Sequence, residues 1–156
     1  MMETIAVLFI FFILVALGIA FYSHYQEIIF KEKEEAMLKA RAMDVTAKVL
    51  FLPELACSRG EAEIISNCVD ELKINVAMEA FRNHLSEYYF DLFSYAKIMV
   101  TEVYPEQNTW ELYNRPSTGE EKNTELTNFV INLRDETKAE GKEYYSYGYL
   151  TVEVYS

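Results

Sequence analysis

From Ile5 to Tyr22 the chain reads IAVLFIFFILVALGIAFY, a run with no charge and no strongly polar side chain. As a helix rising 1.5 Å per residue, this run spans about 27 Å, close to the thickness of a bilayer's hydrocarbon core. In lipid only a helix satisfies each backbone donor and acceptor within the segment, so the pattern predicts a transmembrane helix over residues 1–22. Ile5, Phe9, Phe12, Ala16, Gly18 and Ala20 would lie in its apolar body, with Tyr22 at the headgroup level. Two rival readings stay open. A buried core helix is disfavoured because a helix apolar on every face is rare in so small a domain. A cleaved secretory signal is disfavoured because the run lacks a basic n-region and exceeds the roughly 7–15 residues of an h-region. Ala16, Gly18 and Ala20 are also small enough to let a second helix approach.

The helical pattern does not stop at Tyr22. No Pro or Gly occurs between Ile19 and Leu52. Ala36, Ala40, Met43, Ala47 and Leu50 are spaced as one helical stripe, and Leu38, Ala42, Val45, Val49 and Leu52 as a second beside it. Together they predict a broad apolar face that must be covered, ended by Pro53. Residues 52–67 read as a connection with a short helical turn at Glu61–Ile65. Asp70 predicts the start of a second helix, with Leu72, Val76, Met78, Phe81 and Leu85 on its apolar side to about Ser86.

Beyond Glu87 the period changes. Tyr88 to Phe93 is aromatic and ambiguous. Lys97–Tyr104, Thr109–Tyr113, Leu126–Leu133 and Glu143–Tyr155 read as four strands separated by polar turns. In the last, Leu150, Val152 and Val154 alternate with Tyr149, Thr151 and Glu153, and Gly148 suggests a bulge. Short connections favour an antiparallel meander. The expected fold class is therefore α+β. A long N-terminal helix, first transmembrane and then amphipathic, would pack its second half on a four-stranded antiparallel sheet, residues 23–156 forming the soluble domain.

Charge narrows the function classes. All 14 Lys and Arg lie at or after Lys31, while Glu3 and Glu27 are the only acidic residues before it out of 25. The soluble part is strongly acidic and has no basic stripe, which excludes nucleic acid as a partner. Lys31, Lys33, Lys39 and Arg41 follow the apolar run and none precedes it, which by the positive-inside rule places the domain in the cytoplasm. Cys57 and Cys68 argue the other way. They enclose ten residues, and a bridge between them would stabilise the fold by about 3 kcal/mol in an oxidising space outside the cytoplasm. Two reduced thiols are the other reading. The bridge is weighed more heavily, so the domain is expected to be extracytoplasmic.

The chain contains no G-x-S-x-G, P-loop, G-x-G-x-x-G or H-E-x-x-H pattern. With only His24 and His84 beside two widely spaced cysteines, no metal site is expected. His84 reads as a solvated helix residue. Neither a cofactor nor a small-molecule substrate is implied, and the chain reads as non-enzymatic. Tyr144, Tyr145, Tyr147, Tyr149 and Tyr155 crowd the last strand. They suit either a half-buried sheet or an aromatic face presented to another subunit.

This layout resembles the type IV pilin-like proteins, in which a hydrophobic N-terminal helix continues as an amphipathic helix over an antiparallel sheet. Glu3-Thr4-Ile5-Ala6-Val7-Leu8-Phe9-Ile10 is similar in character to the start of mature archaeal pilins. Only Met1 and Met2 stand ahead of Glu3, where prepilins carry a short basic leader. Glu3 precedes the apolar run rather than lying inside it, so the role of the family's acidic residue is not carried over to it. Phe51-Leu52-Pro53-Glu54-Leu55 with Cys57 and Cys68, and the ending Tyr149 to Ser156, are similar to membrane-anchored proteins of small-genome archaea, a likeness that implies no activity. The pilin resemblance implies a surface filament or pseudopilus subunit held in membrane lipid, forming homo- or hetero-oligomers through the N-terminal helix. A single-pass anchored binding domain that does not polymerise is the alternative.

Overall fold

The computed structural model describes residues 2–59, 63–84, 88–117, 123–135, 137 and 144–155, with side chains from residue 5 onward. The chain divides into two compact units, residues 1–37 and 38–156. Helix α1 (Met2–Leu50) supplies all of the first unit's described structure and enters the second.

In the first unit, each described side chain from Ile5 to Tyr25 is exposed. Its most apolar 18-residue window has a mean hydropathy of 2.9, and none of it is buried. This is one helix long and apolar enough to cross a membrane. The polar groups that follow bond locally. Ser23 Oγ donates to the Ala20 carbonyl at 3.0 Å, and Gln26 Nε2 donates to the Tyr22 hydroxyl at 2.8 Å.

The second unit is a mixed six-stranded sheet whose inner face carries helices. After α1 come β1 (Ala56–Arg59), β2 (Glu63–Asp70), α2 (Glu71–Asn83), α3 (Tyr88–Phe93), β3 (Ala96–Tyr104), β4 (Thr109–Asn114), β5 (Thr124–Asp135) and β6 (Tyr144–Tyr155). The strand order is β1-β2-β5-β6-β3-β4, and every pairing is antiparallel except β2 with β5. The four expected strands are β3 to β6. The expectation of four antiparallel strands is corrected to six in a mixed sheet. Of the two further strands β1 has only four residues, and the apolar alternation of β2 is broken around Asn67, which hides both from a period-two reading. Glu63–Ile65, read as part of a helical turn, belongs to β2, while residues 60–62 lie outside the described residues. Both cysteines accordingly sit in strands rather than in a connection.

Of the two stripes on the later part of α1, one is buried. Leu38, Ala42, Val45 and Val49, continued by Leu52, enter the core with Ile98, Val100, Leu150, Val152 and Val154 from the sheet. Met43 and Ala47 of the other stripe are exposed. Thr46 is buried beside the Leu38–Ala42–Val45–Val49 stripe, and its hydroxyl donates to the Ala42 carbonyl at 2.7 Å, so it enters the core without an unmet donor. Arg41 docks the helix on the sheet's end: its guanidinium donates to the Tyr155 carbonyl at 3.0 Å and the Tyr95 carbonyl at 3.3 Å.

Helix α2 begins where the capping signal places it, with Asp70 as N-cap. It ends at Asn83, short of the expected Ser86; residues 85–87 lie outside the described residues. Its buried side chains are Ile74, Ala77 and Phe81, while Leu72 and Val76 are exposed. The correction has a simple cause. The helix is only partly covered, and the face that meets β4, β2 and β5 is the Ile74–Ala77–Phe81 line at i, i+3, i+7. The ambiguous aromatic run forms α3, whose Phe93 and Tyr89 pack with Phe81.

The register between β5 and β6 runs unbroken past Gly148, which pairs with Ile131. The irregularity expected at Gly148 lies instead on β3, between Glu102 and Tyr104 opposite Gly148 and Tyr147. Gly148 is required for another reason: a Cβ there would sit 2.3 Å from the Thr101 carbonyl oxygen.

Candidate functional site

In the second unit several elements converge on one carboxylate. Asp70 ends β2 and caps α2, its Oδ1 accepting from the Leu72 N–H at 3.1 Å. Its Oδ2 accepts from Arg134 Nη2 at 2.9 Å, and both side chains are buried. The two residues are also register partners in the parallel ladder. Arg134 Nη1 donates to the Ser58 carbonyl at 3.1 Å, so β1, β2, β5 and the start of α2 meet at a single ion pair. Beside it, the Cys57–Cys68 disulfide joins β1 to β2, with both residues almost fully buried. Lys73 Nζ adds a bond to the Ala56 carbonyl at 2.8 Å.

From this clamp β2 and β5 diverge. Their ladder consists of Cys68–Asn132, Val69–Leu133 and Asp70–Arg134 only. Asn67, immediately before it, has φ 57°. That left-handed conformation is one Asn tolerates better than most residues, and it turns β2 out of line where the pairing stops. The first part of β2 then pairs with β1 alone. β5 instead continues along β6 down to Thr124. Among the described residues, nothing pairs with the other edge of β5 over residues 124–131.

A groove of about 430 Å³ lies in that wedge. α1 lines it with Met43, Thr46, Ala47 and Leu50, followed by Phe51; β2 contributes Asn67, and β5 contributes Thr127 and Phe129. None of these is charged. The uncovered stripe of α1 is therefore one wall of a groove whose other wall is a strand with a free edge. The volume and apolar character fall in the range of binding pockets.

The outer face of the sheet presents a second surface. Tyr145, Tyr147 and Tyr149 on β6, Tyr104 on β3 and Val130 on β5 are exposed there. On the inner face, Glu102 is fully buried, with Oε2 accepting from Asn108 Nδ2 at 3.0 Å. Among the described residues, its Oε1 and the hydroxyl of Ser146 have no hydrogen-bond partner. Burial raises the phenol pKa values of Tyr89, Tyr113 and Tyr155 above the ordinary 10. Tyr113 also donates to the Ser94 carbonyl at 2.7 Å.

The residues expected in the membrane segment share one property. Ile5, Phe9, Phe12 and Tyr22 are exposed, as are Ala16, Gly18 and Ala20, and a Cβ on Gly18 would meet nothing within 4 Å. Cys57 and Cys68 form a structural bridge rather than a thiol site. Among the described residues there is no group of three or more His, Cys, Asp or Glu able to hold a metal ion. The Asp70–Arg134 pair is invisible to a local reading, because its partners are far apart in the chain. The groove is half visible in the sequence: the Ala36, Ala40, Met43, Ala47 and Leu50 stripe of α1 reads as apolar, but nothing local shows that it is left uncovered. Comparison with protein-family models, with curated proteins and with solved structures finds no match for this chain.

Proposed function

We propose that this protein is a non-enzymatic, single-pass membrane subunit that works by assembly, in the manner of a type IV pilin. The observation that carries this reading is the uncovered apolar helix from Ile5 to Tyr22, which has no stable place in water. Such a surface is stabilised by lipid or by other apolar helices, and in a pilin-like subunit it meets both, lipid before assembly and neighbouring helices afterwards. The amphipathic continuation of the same helix supports the likeness, since its buried stripe forms part of the soluble core. The disulfide supports an extracytoplasmic position for the soluble unit.

The test is electron microscopy and immunoblotting of material sheared from cells producing the protein. Filaments decorated by antibody against the soluble unit are expected. Retention of all the protein in washed membranes, with no filament carrying it, would overturn the filament reading. A second reading, an anchored binding domain that does not polymerise, is favoured by the groove between α1 and β5. A protein that stays in the membrane and binds a ligand in that groove would select it.

A further inference from the structure

Strand β5 is guarded badly for an edge. Over residues 124–131 it pairs with β6 on one side and, among the described residues, with nothing on the other. Alternate residues of such a strand direct their backbone N–H and C=O groups outward. Natural sheets protect such edges with Lys, Pro, short length or a bulge. The segment Thr-Glu-Leu-Thr-Asn-Phe-Val-Ile has none of these and carries a single charge, Glu125. Leu126, Phe129 and Val130 are all exposed on it.

The groove lies along this edge. Thr127 and Phe129 point from the strand's inner face into it, and Met43, Ala47, Leu50 and Phe51 form the facing wall. A free edge beside an apolar, uncharged trough has the two requirements for strand addition: main-chain hydrogen bonds for affinity and a receptacle for alternate side chains. A small lipophilic ligand would use the trough and leave the backbone groups unused. An amphipathic helix would also leave them unused.

We propose that the wedge between β2 and β5 is a docking site for an extended peptide segment of a partner protein. The segment pairs with β5 over residues 124–131 and sets alternate apolar side chains into the groove beneath α1. The lining fixes its chemistry. The inward side chains are uncharged and apolar. An acidic segment is disfavoured by the excess of acidic residues on the rest of the chain. Asn67 marks the inner limit, since beyond it the edge of β5 is occupied by β2. The site is within the soluble unit and does not depend on whether the protein polymerises.

The test uses the full-length protein in lipid nanodiscs, free of detergent that would enter the groove. The probe is a capped, fluorescein-labelled nine-residue peptide alternating valine and threonine. Saturable binding by anisotropy is expected, together with slowed amide exchange at alternate positions of 124–131. Ala47→Trp fills the groove from an exposed helix position, and Phe129→Lys puts a charge into it. Each is expected to weaken binding at least tenfold, whereas Tyr147→Lys on the opposite sheet face leaves it unchanged. Circular dichroism identical to the parent shows that each variant is folded. Absence of binding at millimolar peptide would overturn the proposal, as would binding without protection at 124–131. Protection of 124–131 in the absence of peptide, accompanied by dimers, would overturn it in favour of a second copy as occupant.

Discussion

Asp70 shows how much one side chain can hold. It ends a strand, caps a helix and pairs with a buried Arg134 that itself reaches the Ser58 carbonyl. Removing one member of a buried pair leaves the other charge uncompensated and typically costs about 3–5 kcal/mol. Asp70→Ala loses the cap as well, so it is expected to destabilise the soluble unit more than Arg134→Met, which keeps much of the packing. Denaturant unfolding followed by the fluorescence of Trp110, the single tryptophan, measures both. Equal midpoints for the two variants would show that the cap contributes nothing. Tyr113 and Tyr89 give a second, pH-dependent signature. Their phenols are raised chiefly by burial, with Glu54 adding to the rise at Tyr89 and Arg115 opposing it at Tyr113. The unfolded chain releases these protons near pH 10 and the folded protein only above it, so between the two values the folded state holds more protons. Stability is then complete below about pH 10 and is lost as pH rises through the folded values. Tyr113→Phe is expected to flatten that alkaline fall while costing about 1 kcal/mol at pH 7 through its lost bond to Ser94. Unfolding midpoints at pH 8 and pH 11 check the sign.

At the scale of elements, legibility followed periodicity. The long helix, the start of α2 and strands β3 to β6 are all legible from a sustained period or a cap. β1 and β2 do not, because Asn67 breaks β2 and β1 has four residues. Which of two apolar stripes on α1 would be buried was equally illegible, since both have the same spacing and only the position of the sheet decides between them. The distant pairing of Asp70 with Arg134 could not be read locally at all. Gly148 stands out in the sequence, and the structure gives it two features: it faces the irregularity on β3, and it allows close strand approach. With its missing Cβ placed 2.3 Å from the Thr101 carbonyl oxygen and 3.1 Å from Leu133 Cδ1, Gly148→Ala must push β3 from β6. Overpacking of this kind costs about 1–3 kcal/mol, and a rigid backbone neighbour puts this case at the upper end. A melting temperature unchanged from the parent would mean that the strands part more easily than the geometry implies. The disulfide acts on β1 and β2 together. Replacing both cysteines by serine is expected to cost about 3 kcal/mol in the chain-entropy model.

At the scale of the whole molecule, the question is how firmly the apolar helix commits the chain to a bilayer. On the insertion scale the Ile, Leu, Phe and Val side chains from Ile5 to Phe21 favour the membrane by roughly 4–8 kcal/mol in total, while one Arg at the centre opposes it by about 2.5–3.5 kcal/mol. A single Phe12→Arg change is therefore expected to leave the protein resistant to alkaline carbonate extraction. The double change Phe12→Arg with Val15→Arg brings the balance near zero and is expected to release a large fraction. Release by the single change, or none by the double, would contradict a lone spanning helix. The same preparation addresses direction across the membrane. Lys31, Lys33, Lys39 and Arg41 argue for the cytoplasm, but Arg41 is engaged with the Tyr155 and Tyr95 carbonyls, so its presence has a structural cause independent of topology. Because Cys57 and Cys68 are almost fully buried, slow labelling of the native protein would not distinguish a bridge from shielded thiols. The informative measurement is alkylation after rapid denaturation, with and without reductant. If the second unit is extracytoplasmic, thiols are expected only after reduction; two thiols labelled without reductant would remove the disulfide's support and leave Lys31, Lys33 and Lys39 to place that unit inside.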